Sequence, residues 1–150
     1  MKIKKLMLCI IVAVSLLSCK KDKKEYVEKG TNANTVKTFE FTVTSTSWIY
    51  DNNLNWHYTY TGAWETSLYG AVNVYLKSGT AYVGLPLTYS GVTMAYGFYP
   101  ATGNIEIDLS GTSNPAEEIY RVVIIPPARI RSDVNYNNYQ EVKKAFNLRD

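Results

Sequence analysis

From Lys37 onward, apolar and polar residues alternate with a period of two, the pattern of strands that bury one face and wet the other. In Lys37 to Thr44, Phe39, Phe41 and Val43 fall on one face, and Thr38, Glu40, Thr42 and Thr44 on the other. A short strand over Ser47 to Tyr50 and a turn at Asp51-Asn52-Asn53 form a hairpin with Asn55 to Thr61. There Trp56, Tyr58 and Tyr60 oppose His57, Thr59 and Thr61. Ala71 to Lys77 points Val72, Val74 and Leu76 inward, and Ser78-Gly79 turns it into Thr80 to Leu85, the firmest hairpin in the chain. Pro86 cannot donate to a ladder, which bars the next segment from a central position. Val92 to Tyr99 and Ile105 to Leu109 alternate on either side of a turn at residues 100–104.

Ile119 to Ile125 departs from alternation. It is a continuous apolar run, which predicts a central strand covered on both faces and stopped by Pro126-Pro127. Gly111 to Glu118 reads as a loop. Near the end, Asn138 and Glu141 have the spacing of a capping box, with Tyr139, Val142 and Phe146 on one helical face. This short helix is expected to close one end of the core. About seven short strands with turn signals every eight to twelve residues predict an all-β fold over residues 37–150. Its expected form is an antiparallel two-sheet β-sandwich, immunoglobulin-like, with a short C-terminal helix; a small barrel is the alternative.

The first 36 residues obey other rules. Lys2, Lys4 and Lys5 precede an uncharged run from Leu6 to Ser18, too short for the ~20 residues of a membrane-spanning helix and read as a signal peptide over 1–18. Residues 19–36 are rich in lysine, glutamate, threonine, asparagine and glycine, without apolar periodicity, and read as a flexible tether.

Charge and cysteine content sharpen this division. Removing residues 1–18 from the 150 leaves 132, enough for one domain and a tether, and lowers the 16 basic residues to 13, level with the 13 acidic ones. Residues 30–150 hold 8 basic and 10 acidic groups, so the net charge of +3 is no nucleic-acid signal. Cys9 lies in the apolar run and Cys19 stands just after it, which leaves residues 20–150 without a thiol for a disulfide, zinc or nucleophilic catalysis. Such a domain rests on its core, for which residues 30–150 supply twelve tyrosines, three tryptophans and four phenylalanines.

Leu16-Leu17-Ser18-Cys19 resembles the lipobox of bacterial lipoproteins. The resemblance implies a mature chain beginning at Cys19, with a diacylglyceryl thioether on its sulfur and attachment to the membrane through that lipid. Lys20 stands where aspartate marks inner-membrane retention in the enterobacterial pathway, so the implied address is the outer membrane. Val72 to Leu76, Leu85-Pro86, Arg121-Val122-Val123-Ile124-Ile125-Pro126 and the tail Glu141-Val142-Lys143-Lys144-Ala145-Phe146 look like small uncharacterised β-rich lipoproteins of Bacteroidetes. That group implies no activity.

Candidate chemistry is sparse. His57 is the single histidine, and no G-x-S-x-G elbow accompanies it; Ser78-Gly79 and Ser90-Gly91 read as turns. Asp51, Asn53 and Asn55 imitate the first positions of a calcium loop, but Trp56 and Gly62 occupy the places of its glycine and closing glutamate. Carboxylate pairs for glycoside hydrolysis would come from Glu65, Glu106, Asp108, Glu117 and Glu118, of which Glu106 and Asp108 share the wet face of one strand. Trp48, Trp56 and Trp64, with Tyr50, Tyr58 and Tyr60, crowd a window of seventeen residues. Exposed, Trp48, Trp56, Tyr58 and Trp64 would stack on the C–H face of a sugar; buried, they are core, which a sandwich without disulfides needs more.

The expected protein is therefore a monomeric, non-catalytic lipoprotein without cofactor, metal or nucleic-acid partner. Its role is binding of a glycan or peptide, with an accessory subunit of an outer-membrane complex as the alternative and a hydrolase third.

Overall fold

The computed structural model describes residues 24–26, 35–51, 55–61, 70–111 and 113–149. Ten strands form two antiparallel five-stranded sheets. Sheet A contains β1 (Lys24–Tyr26), β2 (Lys37–Val43), β10 (Glu118–Ile125), β5 (Ala71–Ser78) and β6 (Ala81–Gly84), in that order. Sheet B contains β3 (Ile49–Tyr50), β4 (Asn55–Tyr60), β9 (Asn104–Ser110), β8 (Val92–Tyr99) and β7 (Leu87–Tyr89). The two-sheet sandwich is the fold that the alternation predicts.

The connectivity is more particular than the immunoglobulin expectation. An immunoglobulin sandwich keeps its last strand at a sheet edge, whereas β10 lies between β2 and β5. Strand number also exceeds seven: β3 falls within the short strand expected over Ser47 to Tyr50, and β1 and β7 are three-residue pieces whose alternation is too short to register. β1 falls inside the segment read as a flexible tether, where it pairs Tyr26 with Thr38 and Lys24 with Glu40. Val36, placed at the tether's end, is buried. β7, directly after Pro86, is an edge strand as the missing donor requires.

The main core lies between the sheets. Phe39, Phe41 and Val43 of β2, Val74 of β5, and Tyr120, Val122 and Ile124 of β10 meet Tyr58 and Tyr60 of β4 and Ile105, Ile107 and Leu109 of β9. Phe41 is the hub of the aromatic packing. Its ring stacks on Tyr60 at 4.6 Å, Tyr120 at 5.5 Å and Tyr58 at 5.9 Å between centroids, offset arrangements that the ring quadrupoles favour.

A second core lies on the opposite face of sheet A. There α1 (Tyr139–Phe146) sets Tyr139, Val142 and Phe146 against Tyr75, Val123 and Ile125, with Val36 and Leu148 at the margin. The helix covers a sheet face; it does not plug an end of the sandwich as the sequence pattern suggests. Its start is capped as predicted, with Asn138 Oδ1 accepting from the Gln140 and Glu141 N–H groups. Glu141 reaches back further than a capping box, accepting from the Asn135 N–H at 3.2 Å. Gly84 permits the approach of this region, since a Cβ there would lie 2.5 Å from the Asn137 carbonyl oxygen.

Arg121 is 3% exposed on the helix-covered face of β10, directly opposite Glu40 of β2. Its Nη2 lies 2.7 Å from Glu40 Oε1, and its Nε donates to the same oxygen at 3.0 Å. The guanidinium also donates to the Tyr139 hydroxyl and sits 4.2 Å from the centroid of the Tyr82 ring, while the Tyr82 hydroxyl donates to Glu40. This arrangement joins β2, β10, β6 and α1 through one charge pair. Removing only the carboxylate leaves a buried cation, so Glu40→Leu should cost about 3–5 kcal/mol. Glu40→Leu combined with Arg121→Met should recover at least half of that loss, measured by the urea midpoint of each variant.

Candidate functional site

The two outer faces of the sandwich differ. Sheet A carries α1, whereas no described element covers the outer face of sheet B. The register of β4, β9 and β8 decides what this bare face displays. His57 stands opposite Asp108, which stands opposite Ala95; Thr59 stands opposite Glu106, which stands opposite Gly97. Directly opposed residues on one face lie within side-chain reach, so groups far apart in sequence become neighbours.

Ala95 and Gly97 place small residues across the ladder from the carboxylates. Tyr99, 50% exposed, lies over Gly97, where a Cβ would be 3.5 Å from its ring. Tyr99 stands diagonally across the β8–β9 ladder from Glu106, and the nearby carboxylate pushes its phenol above the ordinary range. Burial pushes the Asp108 carboxyl up; Glu106 and Asp51 push in the same direction, and His57 opposes them. At the margin, Ile49 is opposite His57 at the β3 edge and exposed, and a Thr88–Thr93 hydroxyl pair at 2.9 Å continues the polar surface towards β7.

The residues singled out in the sequence fall into three groups. Trp48 (6% exposed) and Tyr58 are buried, and Trp56 packs against the same core, so these three are not a stacking platform for a ligand. Trp48 meets Tyr58 edge-on at 6.3 Å and Tyr50 leans over Trp56 at 4.9 Å. The indole N–H groups of both tryptophans are buried with no acceptor among the described residues, so their contribution is apolar. His57, Asp51, Glu106 and Asp108, read separately as a lone histidine, a failed calcium loop and a carboxylate pair, converge on the bare face of sheet B. Cys19, Trp64, Glu65 and Asn53 lie outside the described residues.

Glu117 and Glu118 lie elsewhere, beside a depression of about 440 Å³ bordered by Leu76 to Gly79 and Ala116 to Ile119. Burial pushes the Glu118 carboxyl up, while the donated Tyr120 hydroxyl bond pulls it down. A second depression, of about 530 Å³, is formed by residues 132–137 with Glu141. Neither includes His57, Glu106 or Asp108. Among the described residues no group of three or more His, Cys, Asp or Glu is placed to hold a metal ion, and no helix is long and apolar enough to cross a membrane.

What sequence reasoning missed is that Tyr99 would lie diagonal to Glu106 and His57 directly opposite Asp108. Both depend on the register between β4, β9 and β8, for which the alternation within each strand carries no signal. No family model, no curated protein and no solved structure matches the chain.

The shift at Asp108 has a measurable sign. A carboxyl whose folded-state value lies above its ordinary 3.8 favours the folded state while protonated, and that contribution is lost as pH rises through the folded-state value. Urea midpoints measured from acid to neutral pH should therefore show Asp108→Asn gaining stability relative to the unmodified protein as pH rises above about 4. Parallel pH profiles for the two proteins would refute the assignment.

Proposed function

We propose that this chain is a non-catalytic, lipid-anchored protein of the bacterial outer membrane that binds a glycan on the bare face of sheet B. The address rests on the lipobox resemblance at Leu16-Leu17-Ser18-Cys19 and on the lysine-rich segment after it. The binding role rests on one observation: a single sheet face gathers Glu106, Asp108 and His57 beside the exposed Tyr99 ring and the small residues Ala95 and Gly97. Carboxylates accept hydrogen bonds from vicinal sugar hydroxyls, and a phenol ring offers an apolar surface to the C–H groups of a pyranose.

Binding is favoured over hydrolysis because the two carboxylates sit side by side on one strand and do not face each other across a cleft. Acid–base work on a glycosidic bond requires a carboxyl held away from bulk water, together with a partner across an enclosed substrate. Glu106 and Asp108 stand side by side on one face of β9, and neither borders either of the two depressions described above. A second reading, as an accessory subunit of an envelope complex, is favoured by the short edge strand β3, where Ile49 is 60% exposed beside the exposed Tyr50.

Two experiments test the proposal. Protein purified from cell envelopes should carry acyl chains on Cys19 by mass spectrometry, and Cys19→Ser should leave the membrane fraction. On a glycan array, retained signals should fall at least about tenfold for Tyr99→Ala and for the pair Glu106→Gln with Asp108→Asn, as expected where a loss of about 1.4 kcal/mol is tenfold. Binding that survives all three substitutions overturns the site, and recovery of a stable protein partner through Ile49 or Tyr50 favours the second reading.

A further inference from the structure

We propose that strand β1 is a clamp that stands the sandwich upright on the bilayer, with the Val43 end against the headgroups and the Tyr99 end pointing away. The inference rests on the lipidated Cys19 of the proposed function and adds an orientation to it. β1 runs antiparallel to β2, with Tyr26 opposite Thr38 and Lys24 opposite Glu40, so the chain before Lys24 leaves toward Val43. The pairing makes Lys24, and not Lys37, the point at which the lipid-bearing segment is held by the domain.

The reach from that point is short. Cys19 and Lys24 are five positions apart, a separation that spans at most about 17 Å of extended chain. From Glu40, level with Lys24, β2 runs three further residues to Val43, or about 10 Å. Cys19 therefore extends no more than about 7 Å beyond the end of β2, and a lipid inserted from there draws that end to the surface. For a domain so tethered, contact is an intramolecular event, and a modest preference is enough to maintain it.

Sheet B shares this end. Phe39 meets Tyr60 at 5.4 Å and Phe41 meets Tyr58 at 5.9 Å between centroids, so β4 runs opposite to β2 across the core and begins where β2 finishes. The ladder carries this level across the sheet. Tyr50 stands opposite Trp56, Trp56 opposite Leu109, and Leu109 opposite Met94, two residues into β8 from Val92 and its partner Tyr89. Tyr99, opposite Asn104 and one step past the Phe98–Ile105 pair that is level with Tyr60, lies at the other end, open to a ligand arriving from solvent.

What the Val43 end displays suits a headgroup layer. No residue from Phe41 to Tyr50 is charged. The exposed turn from Thr44 to Ser47 offers only hydroxyls, and it is fixed by the Ser47 N–H donating to the Thr44 carbonyl at 2.9 Å and by the Thr44 and Ser47 hydroxyls 2.8 Å apart. Tyr50 and Tyr89, 40% and 77% exposed, mark the two edges of sheet B, and a phenol with an apolar ring and a polar tip is favoured where hydrocarbon gives way to water. Asp51, Glu117 and Glu118 at this end and Asp22 in the segment before β1 are matched by Lys77 and by Lys20, Lys21 and Lys23, so the seating needs no anionic lipid.

The test uses the acylated full chain in phosphatidylcholine vesicles that contain headgroup-level quenching lipids. With Cys19 acylated and Cys9 removed with the signal peptide, a single introduced thiol takes the fluorophore: Ser45→Cys in the β2–β3 turn or Ala101→Cys in the β8–β9 turn. The Ser45 label should be quenched at least about twofold more than the Ala101 label, because roughly 24 Å of strand separates the two ends. A flexible glycine–serine insertion of about ten residues between Lys23 and Lys24 should abolish that difference, whereas the same insertion between Gly30 and Thr31, on the far side of β1, should leave it unchanged. Equal quenching of the two labels, as a domain lying on its side would give, or equal effects of the two insertions, in protein that stays with the vesicles, overturns the seating and leaves the lipid anchor intact. Protein that does not partition with vesicles at all overturns both.

Discussion

The double burial of β10 is the constraint on which most of this structure depends. Tyr120, Val122 and Ile124 face sheet B, and Arg121, Val123 and Ile125 face α1, so each side chain in the run from Tyr120 to Ile125 is inside. A strand without a wet face must have neighbours on both edges and a layer above and below. β2 and β5 supply the edges, sheet B supplies one layer, and α1 supplies the other. The helix is thus needed by the strand as much as the strand is needed by the helix, whose eight residues are too few to be stable alone.

Arg121 is the exception within that run, and its position explains why the exception is tolerated. A cation facing the helix layer is compensated by the carboxylate of Glu40 directly across the ladder and by two tyrosine rings. The long side chain fills volume under α1 while its charged head stays within a closed set of donors and acceptors. The pair also gives the helix layer a single register, since sliding α1 along sheet A would strand the guanidinium without Tyr139.

Covering one face of the sandwich leaves the other to solvent, and this asymmetry divides the polar residues by task. On sheet A the outward Glu40 of β2 and Arg121 of β10 are paired beneath the helix layer. On sheet B the outward positions of β4 and β9 stay accessible and gather carboxylates, a histidine and a tyrosine around small residues of β8. Trp48 and Trp56 obey the same logic from the other side. They lie on or beside the core because a sandwich without disulfides draws its stability from apolar area.

Much of the fold was legible from residue order because a period of two states which side chains share a face. Phe39, Phe41 and Val43, or Ile105, Ile107 and Leu109, could be assigned to the interior without knowing their partners. The same holds for the Asn138 cap and for the edge position after Pro86, which are local matters of donors and acceptors. Hidden from the sequence were the order of strands within the sheets, the seating of α1 on a face, and the approach of His57 to Asp108 and of Tyr99 to Glu106. Periodicity specifies a face but carries no label for the strand that will lie beside it. Register and neighbour choice arise only when several faces are buried together, and in this chain they alone decide which polar groups meet.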